Sequence, residues 1–274
     1  MTSTTTFPGI RTFSSFGILG FPLEERLDAV AEAGYGGISV NSLELTELDA
    51  GQLASVRRAG ETRGIAFPVL EPYIGWLPFD ATSRYGKVTL DEVIRVATAV
   101  GVASVCAIAP LDHGLSQAEV VDAFGAMTDR LHAEGLTTTL EFVPHFGIRT
   151  LREAIAVVDA AGRADSGIVF DTWHHFRTGG TAADLEGVRP GLIRFVQFSD
   201  APTEPQGPPA EESWNRRLIG EGDIDFASIV RALRDIGGFD DYGTEVLRPV
   251  PVGFSCRDEV LAQSRTLDAL LAAA

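Results

Sequence analysis

Eight short β-rich apolar runs recur along this chain, separated by stretches with the periodicity of amphipathic helices, and that alternation leaves few folds open. The runs lie near 15–19 (SFGIL), 36–40 (GGISV), 65–71 (IAFPVLE), 103–109 (ASVCAIA), 137–143 (TTTLEFV), 167–171 (GIVFD), 193–199 (IRFVQFS) and 242–247 (YGTEVL). Helix-like stretches occupy 23–34, 47–63, 89–101, 116–135, 150–162, 226–237 and 257–273, several ending in Gly, while 179–191 is short and weakly helical. Such alternation builds either an open doubly wound sheet or a closed barrel. No G-x-G-x-x-G follows the first run, and 274 residues suit one closed barrel, which typically needs about 250. The expected fold is therefore α/β, a single-domain (β/α)8 TIM barrel spanning residues 1–274. The Pro-, Glu- and Gly-rich segment 201–222 and the excursion 72–87 are too long for plain turns and read as loops over the barrel mouth.

Composition narrows the partners. A hydrophobic content of 45% with 22% charged residues belongs to a globular chain able to bury a core. The formal charge is −16, and Lys87 is the sole lysine, so the surface field repels phosphate backbones and anionic lipids. Neither nucleic acid nor membrane is an expected partner. Cys106 and Cys256 lie far apart and fit no C-x-x-C site, and Cys106 in its apolar run reads as a small core residue. The N-terminal MTSTTTFPG lacks a basic start followed by an apolar stretch. A cytoplasmic location is expected.

In a barrel, side chains at the C-terminal strand ends converge on one face. Four polar residues stand at such positions inside apolar runs: Glu141 in TLEFVP, Asp171 in IVFDTWHH, Gln197 in FVQFSDA and Glu245 in GTEVL. Any one of them alone reads equally well as a hydrogen-bonded buried group. Together, three carboxylates buried near one another cost several kcal/mol without compensation, and a divalent cation balances their charge. Oxygen ligation favours Mg2+, Mn2+ or Co2+ over a thiolate-bound zinc.

These motifs give the chain a family likeness. From EFVPHFGIRTLREAI through FDTWHHFRTGG and QFSDA to RRLIGEGDIDF and TEVL, it resembles the sugar phosphate isomerase/epimerase superfamily. These xylose-isomerase-like barrels also include endonuclease four, inosose dehydratase and 3-dehydroshikimate dehydratase. The resemblance implies Glu141, Asp171, Gln197 and Glu245 as metal ligands, and His174 of D-x-x-H as a group contacting the substrate or a metal-bound oxygen. It implies Arg216, or the adjacent Arg217, as the substrate-binding arginine. Gln197 stands where the sugar epimerases carry histidine, and the resemblance implies that the dehydratase branch accepts glutamine there.

Around this constellation, His145 follows Glu141 by four residues and is a candidate base or donor. His175 reads as packing, His113 and His132 as surface. Glu71 at the end of the third run is a candidate substrate ligand or partner of a ligand, and Trp76, Trp173 and Phe176 are candidate apolar walls. Asp200 is a candidate second partner for a metal ligand. The expected function is a metal-dependent enolising enzyme for a keto-polyol, keto-sugar or related hydroxy-ketone, with Glu141, Glu245, His145 and His174 as its catalytic groups. Dehydration is placed ahead because of Gln197, with isomerisation or epimerisation as the alternative. A non-catalytic barrel subunit of another enzyme is a further alternative, and a homodimer is expected by analogy with barrels that pair through such loops.

Overall fold

A computed structural model describes residue 7 and residues 9–79, 82–237 and 239–273. Most of the N-terminal stretch, and residues 80 and 81 of the 72–87 excursion, thus lie outside the described residues. The strands are β1 (Ile10–Phe13), β2 (Gly37–Ile38), β3 (Val40–Asn41), β4 (Val69–Tyr73), β5 (Ser104–Ile108), β6 (Thr137–Glu141), β7 (Ser166–Asp171), β8 (Ile193–Phe198) and β9 (Asp241–Thr244). They pair in parallel in the order β2-β1-β9-β8-β7-β6-β5-β4-β3. The two ends of that order, β2 and β3, are one stretch of chain interrupted at Ser39. Phe13 pairs with Ile38 on one side of the break, and Asn41 with Glu71 on the other. The sheet thereby closes, and with β2 and β3 counted as one stave it is the eight-stave barrel expected.

The helices are α1 (Leu23–Glu32), α2 (Ser42–Thr46), α3 (Ala50–Arg63), α4 (Leu90–Val100), α5 (Gln117–His132), α6 (Leu151–Ala161), α7 (Thr172–Arg177), α8 (Pro209–Glu212), α9 (Phe226–Ile236) and α10 (Cys256–Ala273). Capping explains why the expected boundaries of several agree with the structure. Thr89 with Glu92, Ser116 with Glu119 and Thr150 with Glu153 form capping boxes, and Gly101 and Gly162 end α4 and α6 in the left-handed region. Among the described residues no helix is long and apolar enough to cross a membrane.

The largest differences from expectation lie at three strands. The run SFGIL is a turn of 3-10 helix at Ser15–Ile18, and the first strand is the preceding IRTF. That strand mixes Ile10 and Phe13 with Arg11 and Thr12, whose polarity hides it from a search for apolar runs. The third strand begins at Val69 rather than 65, after an isolated bridge at Ala66 and after Pro68, which has no N–H to give a ladder. The last ends at Thr244, so Glu245 stands just beyond it.

Three apolar zones result, one of them, Ile74, Ile108 and Val143, at the barrel mouth. The main core lies between barrel and helices, while Val69, Cys106, Val169 and Phe195 form a separate cluster. Because strand side chains alternate, the residues two positions further on share each stave's inward face. For β4, β7 and β8 these are Glu71, Asp171 and Gln197; on β6, Thr139 is followed in the same way by Glu141. Gly243 of β9 is required by close packing: a Cβ there would overlap the carbonyl oxygen of Thr12.

Candidate active site and metal centre

Four strand ends deliver the acidic groups. One ligand atom each from Glu141, Asp171, His174 and Glu245 lies within 4.8 Å of the others, and all four residues are buried. Asp171 is also the N-cap of α7, its Oδ1 accepting from the backbone N–H of His174 at 2.9 Å. The D-x-x-H spacing is thus an N-cap followed by the third helical residue, which turns both side chains to the mouth. His174 Nε2 lies 3.2 Å from Glu141 Oε1.

Gln197 completes the floor from β8. Its Nε2 donates to Glu71 Oε2 at 3.3 Å, while its buried Oε1 has no hydrogen-bond partner. Ser14 Oγ donates to Glu245 Oε1 at 2.9 Å and lies 3.4 Å from Glu71 Oε1. Cys106, a core residue as expected, nonetheless points its Sγ at Glu141 Oε2, 3.4 Å away.

Arg216 is the buried cation of the cluster. Its Nη1 donates to Asp171 Oδ2 at 2.6 Å, Glu245 Oε2 at 3.1 Å and the Glu245 carbonyl at 3.0 Å. Arg217 is exposed, its Nη1 3.4 Å from the Glu221 carbonyl, so of the adjacent pair only Arg216 enters the site.

The electrostatics follow from burial and from one guanidinium serving several carboxyls. Burial and the neighbouring Glu141 push the Glu71 carboxyl up to about 8. Burial also raises Glu245 well above the ordinary carboxylate range, against the pull of Arg216. Burial works to raise Asp171 too, but Arg216 and His174 outweigh it and hold that carboxyl at about 2. Burial, with His174 and Arg216 nearby, lowers the His145 imidazole to about 4. Arg216 thus bonds two of the four buried carboxyls, Asp171 and Glu245, and feels the charge of Glu141.

This floor opens into a cavity of about 330 Å3, lined by Glu71, Glu141, His145, His174, Arg216 and Glu245 together with apolar residues. A larger groove of about 750 Å3 runs past Arg152, Asp184 and Arg189, away from these carboxyls. The chemistry-bearing groups therefore belong to the smaller space.

Several candidates fall elsewhere. Trp173 is fully buried beneath the guanidinium of Arg216 and does not line the cavity. Its position one residue before His174 on a short helix turns it into the core. Trp76 donates its Nε1 to the Ile108 carbonyl at 2.9 Å and packs on Phe124, again away from the cavity. Phe176 packs against the main core. His175 packs on Phe142 and Phe170, with Nε2 3.0 Å from the Thr181 carbonyl. His132 is exposed beside Asp165, and His113 accepts from the Leu115 N–H in a side pocket. Asp200 orients no metal ligand; its carboxylate accepts from the N–H groups of Ala201, Gly220, Gly222 and Ile224 and ties down the G-E-G loop.

Sequence reasoning missed Ser14, because the first strand was placed after it, and missed the apolar lining residues Phe16, Ile74, Val143, Phe146 and Trp214. It also missed the buried pair of Arg177 and Glu212, whose Nη2 and Oε1 are 2.6 Å apart. A cap was the available signal for α7, since Asp171 precedes a run able to continue as helix.

Comparison with known proteins agrees with this fold. The chain is 28% identical over 158 residues to the inosose isomerase of Bacillus velezensis, covering 57% of this chain and 55% of that protein. It is 26% identical over 236 residues to the L-ribulose 3-epimerase of Mesorhizobium japonicum, covering 81% and 75%. The alignments to the inosose isomerases span about half of those proteins' length. The solved structure of the IOLI protein with a binding zinc atom superimposes with a TM-score of 0.84 at 19% identity, over 96% of this chain and 98% of that one. The model of one family, described as xylose isomerase-like TIM barrel, matches residues 27–246, and with the closed barrel described above it establishes that the chain belongs to that family.

Proposed function

We propose that this barrel is a divalent-metal-dependent enzyme that enolises a hydroxy-ketone of the keto-sugar or keto-polyol class and works as an isomerase or epimerase. The observation that carries this reading is the floor of the cavity. Four buried carboxyls, Glu71, Glu141, Asp171 and Glu245, share a floor with one arginine that bonds only Asp171 and Glu245, and the buried amide oxygen of Gln197 has no partner. That donor set fits a cation, with Glu141, Asp171, Gln197 and Glu245 as its ligands and His174 in reach. The oxygens suit Mn2+, Mg2+ or Co2+, while the imidazole of His174 is a donor that zinc also accepts. A cation bound there supplies a Lewis acid that polarises the substrate carbonyl and offsets the negative charge developing on deprotonation.

The protein's own groups divide the remaining work. Glu141 and Glu245 come from β6 and from beyond β9, and one takes the proton from the carbon beside the carbonyl while the other returns a proton. Return to the opposite face of the same carbon is epimerisation, and return to the neighbouring carbon is isomerisation. His145, whose imidazole is kept neutral by burial, exchanges a hydroxyl proton of the substrate. Arg216 holds Asp171 ionised and orients Glu245. The names of the relatives, inosose isomerase and L-ribulose 3-epimerase, support this reading.

Loss of a β-hydroxyl from the same enolised substrate is the second reading, favoured by Gln197 at the position where the resemblance places histidine in epimerases. One experiment separates these outcomes. Metal-loaded wild type and Glu245→Gln are incubated with keto-polyols in D2O, and the substrate C–H signals are followed by NMR. Metal-dependent loss of a C–H signal in wild type and not in the variant is the expected result, and the product identifies the reaction. Tight metal binding without turnover on any keto-polyol or simpler hydroxy-ketone would instead favour a non-catalytic barrel subunit.

A further inference from the structure

Above its acidic floor the cavity is walled by carbon. Ile74, Ile108 and Val143 form a buried apolar cluster separate from the main core, with Phe79, Tyr85 and Phe146 packed against it. Phe16 and Trp214 extend the lining, their ring centroids 6.3 Å apart. The wall's polar atoms are few and partly engaged. Tyr85 Oη accepts from Asn41 Nδ2 at 3.0 Å, and Ser213 Oγ donates to the Ala210 carbonyl at 3.0 Å. The His145 ring carries a buried Nδ1 without a partner.

Polar groups in the cavity are therefore concentrated at the floor, where a keto-hydroxy pair would be held. Hydroxyls further along the substrate would lose water against aliphatic and aromatic carbon with few groups to replace it. Methylene, methyl or aryl groups in the same place would gain from burial. Resting on the enolisation proposed above, we infer that the substrate is a hydroxy-ketone with an apolar body: its polar atoms lie at the keto-hydroxy end, and alkyl or aryl carbon occupies the space under Ile74, Val143 and Phe146. A uniformly hydroxylated sugar chain is the poorer fit.

The test compares two probes that share the same head. D-fructose carries hydroxyls on carbons four to six, and 1,3-dihydroxyhexan-2-one carries none there. Metal-dependent C–H to C–D exchange on the Mn2+-loaded protein is measured for both. The alkyl probe is expected to show kcat/KM at least about tenfold higher. Val143→Thr places one hydroxyl in the wall at nearly constant volume, and the ratio of alkyl probe to ketohexose is expected to fall about threefold or more. Both constants are referred to the open-chain ketone concentration of each probe, so ring closure of the ketohexose does not set the ratio, and it cancels when the variant is compared with wild type.

Exchange on both probes with a ratio of one or below overturns the apolar body and leaves enolisation standing. Exchange on neither, with metal bound, overturns the enolisation reading, and calorimetric binding of the two probes then decides the pocket. Preferential binding of the alkyl probe supports an apolar body, and equal binding overturns it.

Discussion

Gln197 donates its Nε2 to Glu71 Oε2 at 3.3 Å, and this bond sets which end of the amide is left free. With the nitrogen engaged, the oxygen is left buried and unpartnered, as a cation ligand requires. Glu71 therefore acts on the site by orienting Gln197.

A graded effect on metal affinity is expected from this pair. Gln197→Leu removes a donor atom and should weaken Mn2+ binding more than Glu71→Leu, which removes only the group that orients it and should cost about 10–100-fold. Glu71→Gln still offers an acceptor to Gln197 and should retain most of the affinity. Calorimetric titration checks the order, and a Glu71→Leu protein that binds Mn2+ like wild type would count against the orienting role.

Arg216 is the buried countercharge of Asp171 and Glu245. Its replacement in Arg216→Met strands those carboxyls, at an expected cost of about 3–5 kcal/mol in the metal-free protein. Added Mn2+ should then raise the melting temperature of the variant more than that of wild type, because the cation replaces the lost charge. Thermal melts with EDTA and with Mn2+ test this, and equal shifts in the two proteins would argue that Arg216 and the cation do not share partners.

Asp241, at the start of β9, offers a pH test remote from the site. Burial pushes its carboxyl up to about 7, against the pull of its bond from Thr12. In the unfolded chain it titrates near the ordinary value of about 3.9. Between these values the folded protein keeps a proton that the unfolded chain has released, so stability falls as pH rises through the window, and the whole loss is present above it. Asp241→Asn should therefore be more stable than wild type at pH 8, by about 1–2 kcal/mol after solvent screening, and close to wild type at acidic pH. Urea melts at the two ends of the range provide the comparison, and no gain at pH 8 would exclude a raised carboxyl here.

Arg177 on α7 and Glu212 on α8 form a two-pronged buried pair, Nε to Oε2 at 2.8 Å and Nη2 to Oε1 at 2.6 Å. A third nitrogen donates to the Pro202 carbonyl at 2.8 Å. The pair latches the helix that carries His174 to the loop that leads to Trp214 and Arg216. Arg177→Met should lose about 3 kcal/mol of stability and raise KM more than it lowers kcat, while Arg177→Met/Glu212→Leu recovers part of the stability. An unchanged KM in the single variant would show that the latch does not position the loop.

The parts of this protein legible in its sequence are those set by local physics. Alternating apolar runs and helical periodicity mark the staves, and capping boxes at Thr89, Ser116 and Thr150 mark helix starts, because both depend on neighbours within a few residues. Glu141, Asp171 and Gln197 were visible because a polar residue ending an apolar run must lie at the barrel mouth once the barrel closes. Tertiary structure alone decided what depends on distant segments meeting. Adjacent and chemically alike, Arg216 and Arg217 are separated only by the path of a long loop. Trp173 was turned into the core by α7, and Ser14 reached Glu245 across 231 positions of chain. The bond between Glu71 and Gln197, 126 residues apart, and the apolar wall above it have no local signature, because they exist only where the closed barrel brings its strand ends and loops together.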